Sequence, residues 1–272
     1  MLHYPHIDPI LFSLGPLRVH WYGVTYLVAF GAAWSLARLR ARAPGSTWTA
    51  EQVDDFVFYA MLGTILGGRI GYVLFYATKL QWWLDDPLYP IKVWDGGMSF
   101  HGGFLGVMTA IAVFARRTGK RIWDVFDFAA PLPGLGIFAV RIGNFINGEL
   151  WGRPTDAWYG FGARDALGNE LGVRHASQLY EATLEGLVLF TVVWLYTRKP
   201  RPRYAASAAF LVLYSLARIT VEFVRVPDAQ LGYLYLDWVT MGQLLSLPML
   251  LAGLFLAWRA GAHPEPSGNR GA

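Results

Sequence analysis

The chain has 272 residues, of which 54% are hydrophobic and only 15% are charged, and its mean hydropathy is +0.33. Because soluble domains carry about 25% charged residues, this composition predicts a polytopic membrane protein. The absence of cysteine excludes disulfides, a thiolate nucleophile of the chain itself and cysteine-based metal sites. The first 16 residues contain three prolines and no basic region, so we expect no cleaved signal peptide.

Seven hydrophobic segments are long enough to cross a bilayer, which takes about 20 apolar residues in a helix. They cover 19–38, 56–77, 97–115, 123–145, 177–197, 205–224 and 238–258. The fourth contains PLPGLG (131–136), and its two prolines predict a kink or break. We therefore predict an all-α membrane fold with seven transmembrane helices and a periplasmic loop region between the fourth and fifth helices. One integral-membrane domain is expected over 1–260, followed by a polar, disordered cytoplasmic tail over 261–272.

The distribution of Lys and Arg over the links predicts the orientation of these helices. The links after the first, third and fifth segments are basic: 38–42 contains three arginines, and 116–121 and 197–203 contain four basic residues each. The alternate links are poorer in Lys and Arg. The N-terminus is thus predicted outside, and the C-terminus in the cytoplasm, of a multi-pass protein in the bacterial inner membrane. The net charge of +4 is explained by topology, so no nucleic-acid partner is predicted.

Three arginines, Arg69, Arg141 and Arg218, lie inside the predicted helices. A charge at mid-bilayer costs about 2.5–3.5 kcal/mol, which makes each arginine a candidate functional residue. The predicted orientation places all three toward the outer ends of their helices. The same depth is predicted for His101, Tyr22 and Tyr26. Because five helices bring polar groups within about 10 Å of the outer surface, we interpret these groups as one site toward the outer leaflet.

Each of these residues also has a structural interpretation. Arg69 could snorkel or pair structurally, His101 could be a satisfied core histidine, and Tyr26 could belong to an interfacial aromatic belt. Arg218 and Glu222 are four residues apart and could form an ion pair on one helix face. The other histidines lack metal-ligand spacing, so we predict no metal site.

Several guanidinium groups at headgroup depth suit a phosphate, because guanidinium presents a fork of donors to phosphate oxygens. The natural anion at this depth is a phospholipid headgroup, and a histidine beside it can act as a general base near neutral pH. The residues alone therefore predict that an outer-leaflet phospholipid is bound and reacted. They leave the reaction open.

The stretch RIGNFINGELWGR (141–153) is a specific motif, and other segments accompany it: YPHIDPI (4–10), HGG (101–103), YSLARITVEFVRVPDAQLG (214–232) and MGQLLSLPM (241–249). With these segments the chain resembles the bacterial prolipoprotein diacylglyceryl transferases over nearly its whole length. It departs from them at Val140, where glycine is common before the arginine, and this puts only the local packing in doubt.

The resemblance implies transfer of the diacylglyceryl group from phosphatidylglycerol to the lipobox cysteine of a prolipoprotein, the first step of bacterial lipoprotein maturation. A thioether forms and glycerol phosphate is released. The substrates are thus phosphatidylglycerol, as a membrane lipid, and prolipoprotein signal peptides; no cofactor is implied. Since the thiol belongs to the substrate, a cysteine-free enzyme is consistent with this reaction.

The resemblance also implies roles for individual residues. Catalytic roles fall on His101, Arg141 and Arg218, although a base at another residue stays open. Substrate-binding roles fall on Tyr26, Arg141, Asn144, Glu149, Gly152, Glu222 and Arg225. Further candidates for the site are Arg69, Tyr22, Tyr214 and Asn147.

Two other functional classes compete with the transferase. A lipid transporter or flippase would need polar residues through the full membrane thickness, whereas the inner halves of the predicted helices nearly lack them. A purely structural seven-helix receptor would leave the outer polar cluster without a reason.

Overall fold

The computed structural model describes residues 1–5, 7–15, 17–76, 86–93, 96–164, 168–227, 232–236, 238–262 and 264. The helices over these ranges are α1 (Trp21–Ala41), α2 (Ala50–Phe75), α3 (Phe100–Thr118), α4 (Ile122–Ala129), α5 (Pro133–Ile146), α6 (Ser177–Tyr196), α7 (Ala205–Glu222) and α8 (Met241–Ala262). A 3-10 turn covers Tyr89–Ile91, and α6 contains a π-helical stretch at Ala182–Val188. The strands are β1 (Ile10–Leu14), β2 (Leu17–His20), β3 (Phe161–Arg164) and β4 (Glu170–Arg174).

The chain is mostly helical, as predicted, and each of the seven hydrophobic segments contains a helix. Among the described residues, four helices are long and apolar enough to cross a membrane: α2, α6, α7 and α8. The bent pair α4–α5 makes five if it is one span. Helices α1 and α3, with 21 and 19 residues, are long enough but less apolar. The seven-span count therefore stays a prediction.

The predicted break in the fourth segment is confirmed. Helix α4 ends at Ala129, α5 begins at Pro133, and the two helices are bent by 51° relative to each other. Pro133 lies in the first turn of α5, where its missing N–H group would have had no helical partner. The prolines thus end one helix and begin the next.

Two antiparallel hairpins were not predicted. In one, β1 pairs with β2 from Ile10↔His20 to Leu14↔Leu17. In the other, β3 pairs with β4 from Phe161↔Arg174 to Arg164↔Glu170, inside the segment expected to be an irregular loop. The purely helical prediction is wrong for these short segments, because hairpins of four or five residues carry almost no periodic signal.

The described residues form two compact units, a larger one of 1–46 with 127–272 and a smaller one of 47–126. In the smaller unit α2 packs on α3 through facing glycines: a Cβ added to Gly71 would lie 2.8 Å from Gly102 Cα. This approach brings the two helix backbones into contact. The predicted single domain over 1–260 stays a prediction, and the predicted tail lies outside the described residues except at 261, 262 and 264.

Candidate active site

The larger unit contains a cluster of three arginines and three glutamates, which we call the arginine–glutamate cluster. Its members are Arg141 on α5, Glu181 and Glu185 on α6, Arg218 and Glu222 on α7, and Arg225 just after α7. Arg141 and Arg218, two of the three arginines singled out inside the predicted helices, therefore meet here together with Arg225, whereas Arg69 belongs to the smaller unit. The three arginines come from α5 and from α7 with the residues directly after it.

Glu181 contacts all three arginines of the cluster. Its Oε2 lies 2.6 Å from Arg141 Nε. Its Oε1 accepts hydrogen bonds from Arg218 Nη1, at 3.1 Å, and from Arg225 Nη1. A single carboxylate thus fixes the relative positions of guanidinium groups from α5, α7 and the segment after α7.

Glu222 contacts two of the same arginines through other nitrogen atoms. Its Oε1 lies 2.5 Å from Arg218 Nη2 and 3.1 Å from Arg225 Nε. Its Oε2 accepts a hydrogen bond of 2.6 Å from the Thr240 hydroxyl. The ion pair between Arg218 and Glu222, expected as a structural alternative, is therefore present, but it is part of a larger network.

The arginine and glutamate side chains of the cluster differ in their exposure to solvent. The side chains of Glu181 and Glu185 are 0% exposed, whereas those of Arg141, Arg218 and Arg225 are 22%, 16% and 11% exposed. The carboxylates thus lie behind the guanidinium groups. Although the six formal charges cancel, an approaching anion meets the cations first.

Glu181 and Glu185 were not identified from the sequence. The signal was present, because two carboxylates four residues apart inside a hydrophobic segment are as costly there as the arginines that were singled out. Both belong to the run SQLYEATLEGLVLF (177–190). The π-helical stretch Ala182–Val188 begins between them, and such stretches are frequent at functional sites.

The polar side chains of RIGNFINGELWG form a second network next to Arg141. Arg141 Nη1 donates to Asn144 Oδ1 at 3.3 Å. Asn144 Nδ2 then donates to Glu149 Oε1 at 2.8 Å, and Asn147 Nδ2 reaches the same oxygen at 3.3 Å. Asn144 is buried. This chain of contacts ties the orientation of Arg141 to Glu149.

The turn after α5 is held by side chains at the start of α6. Gln178 Nε2 donates to the Glu149 carbonyl at 2.5 Å, and the Ser177 hydroxyl donates to the Leu150 carbonyl at 2.6 Å. Leu150 has a φ of 60°, a left-handed conformation that costs most residues about 1–2 kcal/mol. The buried polar contacts on both carbonyls hold the backbone in this conformation and direct Glu149 toward Asn144.

A core of aromatic side chains packs around the end of α5, just before this turn. Tyr4, Phe145 and Trp151 meet edge to face, with ring centroids 5.2–5.8 Å apart, and Phe161 of β3 packs on Phe145 at 5.6 Å. The Tyr4 hydroxyl donates to the carbonyls of Phe145 and Ile146 at 2.8 and 2.9 Å. The β3–β4 hairpin therefore contributes to the packing that fixes the end of α5.

Gly152 lies where three backbone segments touch. Its N–H donates to the His175 carbonyl at 2.8 Å, and it forms an isolated β-bridge with Arg225. A Cβ added to Gly152 would lie 2.5 Å from the Val224 carbonyl oxygen. This position requires glycine for close packing, which is a structural reason for its presence beside the cluster.

The tyrosines singled out from the sequence lie on α1 and α7. On α1 the hydroxyls of Tyr22 and Tyr26 are 3.4 Å apart, and their rings meet at 5.3 Å. A Cβ added to Gly143 would lie 2.8 Å from Thr25 Oγ1, so α1 approaches α5 closely beside Asn144. Tyr214 lies one turn before Arg218 on α7, where it stacks on Phe210.

Arg69 of the smaller unit binds backbone carbonyls of the segment that follows α2. Its Nε donates to Pro90 at 3.0 Å, its Nη1 to Gly96 and Gly97 at 2.5 and 3.1 Å, and its Nη2 to Tyr89. Arg69 is only 3% exposed. These contacts favour the structural interpretation of Arg69, which binds the backbone of 89–90 and of 96–97.

His101, also in the smaller unit, lies exposed in the first turn of α3. Ser99 caps this helix, since its Oγ accepts from the Gly102 N–H at 3.2 Å. The imidazole contacts the Phe100 ring edge to face at 5.7 Å. The side chain is thus held at a helix start and stays accessible to a substrate. Among the residues that the structure describes, no three His, Asp or Glu side chains are grouped to bind a metal ion.

Comparison with known proteins identifies the family to which this site belongs. The family profile for prolipoprotein diacylglyceryl transferase matches residues 9–259. A phosphatidylglycerol–prolipoprotein diacylglyceryl transferase of Oleidesulfovibrio alaskensis is 57% identical over 94% of this chain and 94% of its own length. Proteins of the same name from Solidesulfovibrio magneticus and Coxiella burnetii are 55% and 54% identical, over 95% and 97% of this chain and 97% and 100% of theirs. With the family profile matched over residues 9–259 and relatives more than 50% identical over nearly the whole chain, the chain belongs to the prolipoprotein diacylglyceryl transferase family.

Proposed function

We propose that this chain transfers the diacylglyceryl group of phosphatidylglycerol to the lipobox cysteine of prolipoproteins. The cysteine sulfur, as thiolate, attacks the glyceryl carbon that carries the phosphate. The carbon–sulfur bond forms as the carbon–oxygen bond breaks, and glycerol phosphate leaves with the electron pair of the broken bond. The observation that carries this proposal is the layer of partly exposed arginines over fully buried glutamates.

Arg141 and Arg218 bind the phosphate and stabilise it as a leaving group. Negative charge builds on the departing oxygen, and donors already aimed at that position lower the barrier. Glu181 contacts both guanidinium groups, so little reorganisation is needed when the charge appears. Arg225, held by the same carboxylate, adds to the positive face.

Asn144 and Glu149 orient both the Arg141 guanidinium and the lipid headgroup. Their hydrogen-bonded chain to Arg141 fixes the guanidinium plane and leaves the second Glu149 oxygen for a headgroup hydroxyl. Tyr22 and Tyr26 lie on the helix that packs against Gly143, beside Asn144. We assign these tyrosines to the wall of the headgroup pocket.

His101 accepts the proton of the substrate thiol in this proposal. A neutral imidazole is a suitable base near neutral pH, and the exposed position of His101 at the start of α3 allows a peptide thiol to reach it. Glutamates of the cluster are the alternative bases. A slow His101→Gln variant that regains its rate at raised pH would support the assignment, because the thiol then ionises without a base.

We also propose a topology of seven spans in the bacterial inner membrane, with the N-terminus outside and the C-terminus in the cytoplasm. Two observations support the orientation. Glu181 and Glu222 lie near the end of α6 and α7 that is opposite to the basic link 198–203. The basic links follow α1, α3 and α6, as the positive-inside rule requires. The arginine–glutamate cluster then faces the outer leaflet, where phosphatidylglycerol and the prolipoprotein meet.

The direct test is a transfer assay with the purified chain, labelled phosphatidylglycerol and a lipobox peptide. We expect label to appear on the peptide in a thioether that resists hydroxylamine, and glycerol phosphate to appear in equal amount. A peptide with serine in place of the cysteine is the matched control and should stay unlabelled. Movement of labelled lipid across vesicles without any transfer would instead favour a lipid transporter.

A further inference from the structure

The larger unit contains an open apolar groove next to the arginine–glutamate cluster, to which the proposed reaction gives no role so far. Its volume is about 590 Å³, within the range of about 300–1,000 Å³ that is typical of ligand sites. The β3–β4 hairpin with the loop before it, the start of α6 and the residues after α7 contribute to its walls. These walls include Trp158, Tyr159, Phe161, Leu179, Tyr180 and Val224.

The lining of the apolar groove suits an uncharged ligand. None of the described residues that line it is Asp, Glu, Lys or Arg. Burial lowers the pKa of the His175 imidazole in this lining, so the ring is mostly neutral at pH 7, and its Nδ1 lies 3.2 Å from the Tyr180 hydroxyl. Trp158 and Tyr159 are 77% and 42% exposed. Exposed apolar surface marks interaction sites, and Trp and Tyr contribute strongly to binding at such sites.

The apolar groove shares two stretches of backbone with the arginine–glutamate cluster. Val224 lines the groove, and the next residue, Arg225, contacts Glu181. Tyr180 also lines the groove, and Glu181 follows it directly on α6. Because consecutive Cα atoms are about 3.8 Å apart, the groove and the cluster adjoin at both places. A ligand in the groove therefore lies close to the guanidinium groups that are proposed to bind the lipid phosphate.

The position of the groove favours the peptide substrate over a lipid tail as its occupant. The β3–β4 hairpin packs on the end of α5 and the start of α6, whereas the acyl chains of a lipid bound at Arg141 extend along the apolar span Ser177–Tyr196 toward Tyr196, into the bilayer. The tails thus point away from the hairpin. The other substrate carries a signal peptide, and signal peptides contain an apolar stretch of about 7–15 residues followed by small residues.

We infer that the apolar groove binds the apolar residues that precede the lipobox cysteine of the prolipoprotein. The inference rests on the proposed transfer reaction and identifies where its second substrate docks. The peptide contacts the Trp158 and Tyr159 rings, and its cysteine reaches the arginine–glutamate cluster beside Val224. An extended chain advances about 3.3 Å per residue, so a few residues lead from the groove to the cluster. Binding of the apolar residues thus holds the thiol near the glyceryl carbon that it attacks.

The inference is tested by the binding of two fluorescent peptides to the purified full chain in detergent micelles, with empty micelles as the blank. Both peptides have serine in place of the cysteine, so neither can react. The apolar peptide keeps the apolar residues before that position, and the polar peptide has serine residues there. Trp158→Ala and Tyr159→Ala each remove an exposed side chain of the groove. Phe12→Ala is the matched control, because Phe12 is an aromatic residue of β1 that is 47% exposed and lies outside the groove lining.

We expect Trp158→Ala and Tyr159→Ala to bind the apolar peptide about tenfold more weakly than the parent chain, because each loses an aromatic contact. Phe12→Ala should bind it with the parental Kd. The polar peptide should bind the parent chain and Trp158→Ala equally weakly. Parental Kd values for both groove variants, an equal loss in Phe12→Ala, or no binding of the apolar peptide by the parent chain would overturn the inference.

A transfer assay with the cysteine-containing apolar peptide separates this inference from the proposed reaction. The KM for the peptide should rise about tenfold in Trp158→Ala, whereas the KM for phosphatidylglycerol should keep its parental value. Normal transfer with a parental KM for the peptide in both groove variants would refute the groove alone. Peptide binding that depends on Trp158, without any transfer by the parent chain, would refute the reaction and support the groove as a peptide site.

Discussion

Replacement of Arg141 by lysine separates the charge of this residue from its planar fork of donors. Arg141 Nε lies 2.6 Å from Glu181, and Nη1 donates to Asn144. Nη2 has Glu185 Oε2 at 3.8 Å, which is longer than a hydrogen bond. The N–H groups of Nη2 are therefore available to a phosphate oxygen. A lysine ammonium can replace the contact with Glu181 but cannot serve Asn144 and a phosphate at the same time.

The expected effect of Arg141→Lys is a fall in kcat of about 10²–10³, since removal of one donor to a developing negative charge costs about 2.7–4 kcal/mol. The KM for phosphatidylglycerol should rise much less, because the positive charge remains and two further arginines face the lipid. Stability should change little, as the buried carboxylate of Glu181 keeps a cationic partner at each of its contacts. Arg141→Ala should also lose activity, but it leaves that carboxylate less compensated.

The assay measures initial rates of diacylglyceryl transfer at saturating peptide over a range of phosphatidylglycerol in mixed micelles, with thermal unfolding of each variant. Arg164→Lys is the matched control: Arg164 pairs with Glu170 at 2.8 Å on the exposed β3–β4 hairpin, and exposed pairs contribute about 0–1 kcal/mol. A kcat for Arg141→Lys within about threefold of the parent, in a protein that unfolds normally, would refute the phosphate-binding role of Arg141.

Three further substitutions test the support of the site. Glu181→Gln removes the charge that three arginines share; breaking such a buried pairing costs about 3–5 kcal/mol, so the midpoint of thermal unfolding should fall sharply, and an unchanged midpoint would contradict its central position. Gly152→Ala places a Cβ against the Val224 carbonyl; overpacking costs about 1–3 kcal/mol, and transfer should fall with it, whereas parental stability would show that the backbone yields freely. Leu150 has a φ of 60°. Its replacement by glycine should keep the parental midpoint of unfolding, whereas isoleucine should lower the free energy of unfolding by at least about 1 kcal/mol. Equal midpoints for the two variants would contradict a strained backbone at this position.

The sequence predicted that Arg141 and Arg218 lie close together. The orientation of their helices follows from the number of Lys and Arg residues in each link, and their depth follows from the number of residues to the helix ends. Arg141 and Arg218 lie on helices that run in the same direction, so equal depth could be read from their distance to the helix ends. The structure brings both to Glu181. Glu181 and Glu185 were not predicted, although charge balance already requires anions near several buried guanidinium groups.

Other features had no signal in the sequence. Arg69 contacts the backbone carbonyls of 89–90 and of 96–97, and backbone acceptors leave no trace in residue identity. The π-helical stretch within α6 likewise differs from an α-helix only in its hydrogen-bond pattern. The β3–β4 hairpin is stabilised by long-range packing of Phe161 on Phe145 and Trp151. Contacts between distant segments, rather than local propensity, determine such short strands.

The backbone around Gly152 explains why substitutions outside the arginine–glutamate cluster should still affect transfer. The Gly152 N–H binds the His175 carbonyl, just before α6, and the Arg153 N–H binds the Val224 carbonyl, just after α7, both at 2.8 Å. Six residues after His175 the chain reaches Glu181, and one residue after Val224 it reaches Arg225. A displacement of the turn at 148–153 therefore moves the carboxylate and one guanidinium together with Glu149. Because a catalytic geometry displaced by about 1 Å can cost about 10² in rate, we expect substitutions at Leu150 and Gly152 to lower kcat through the position of the cluster, without either residue contacting the lipid phosphate.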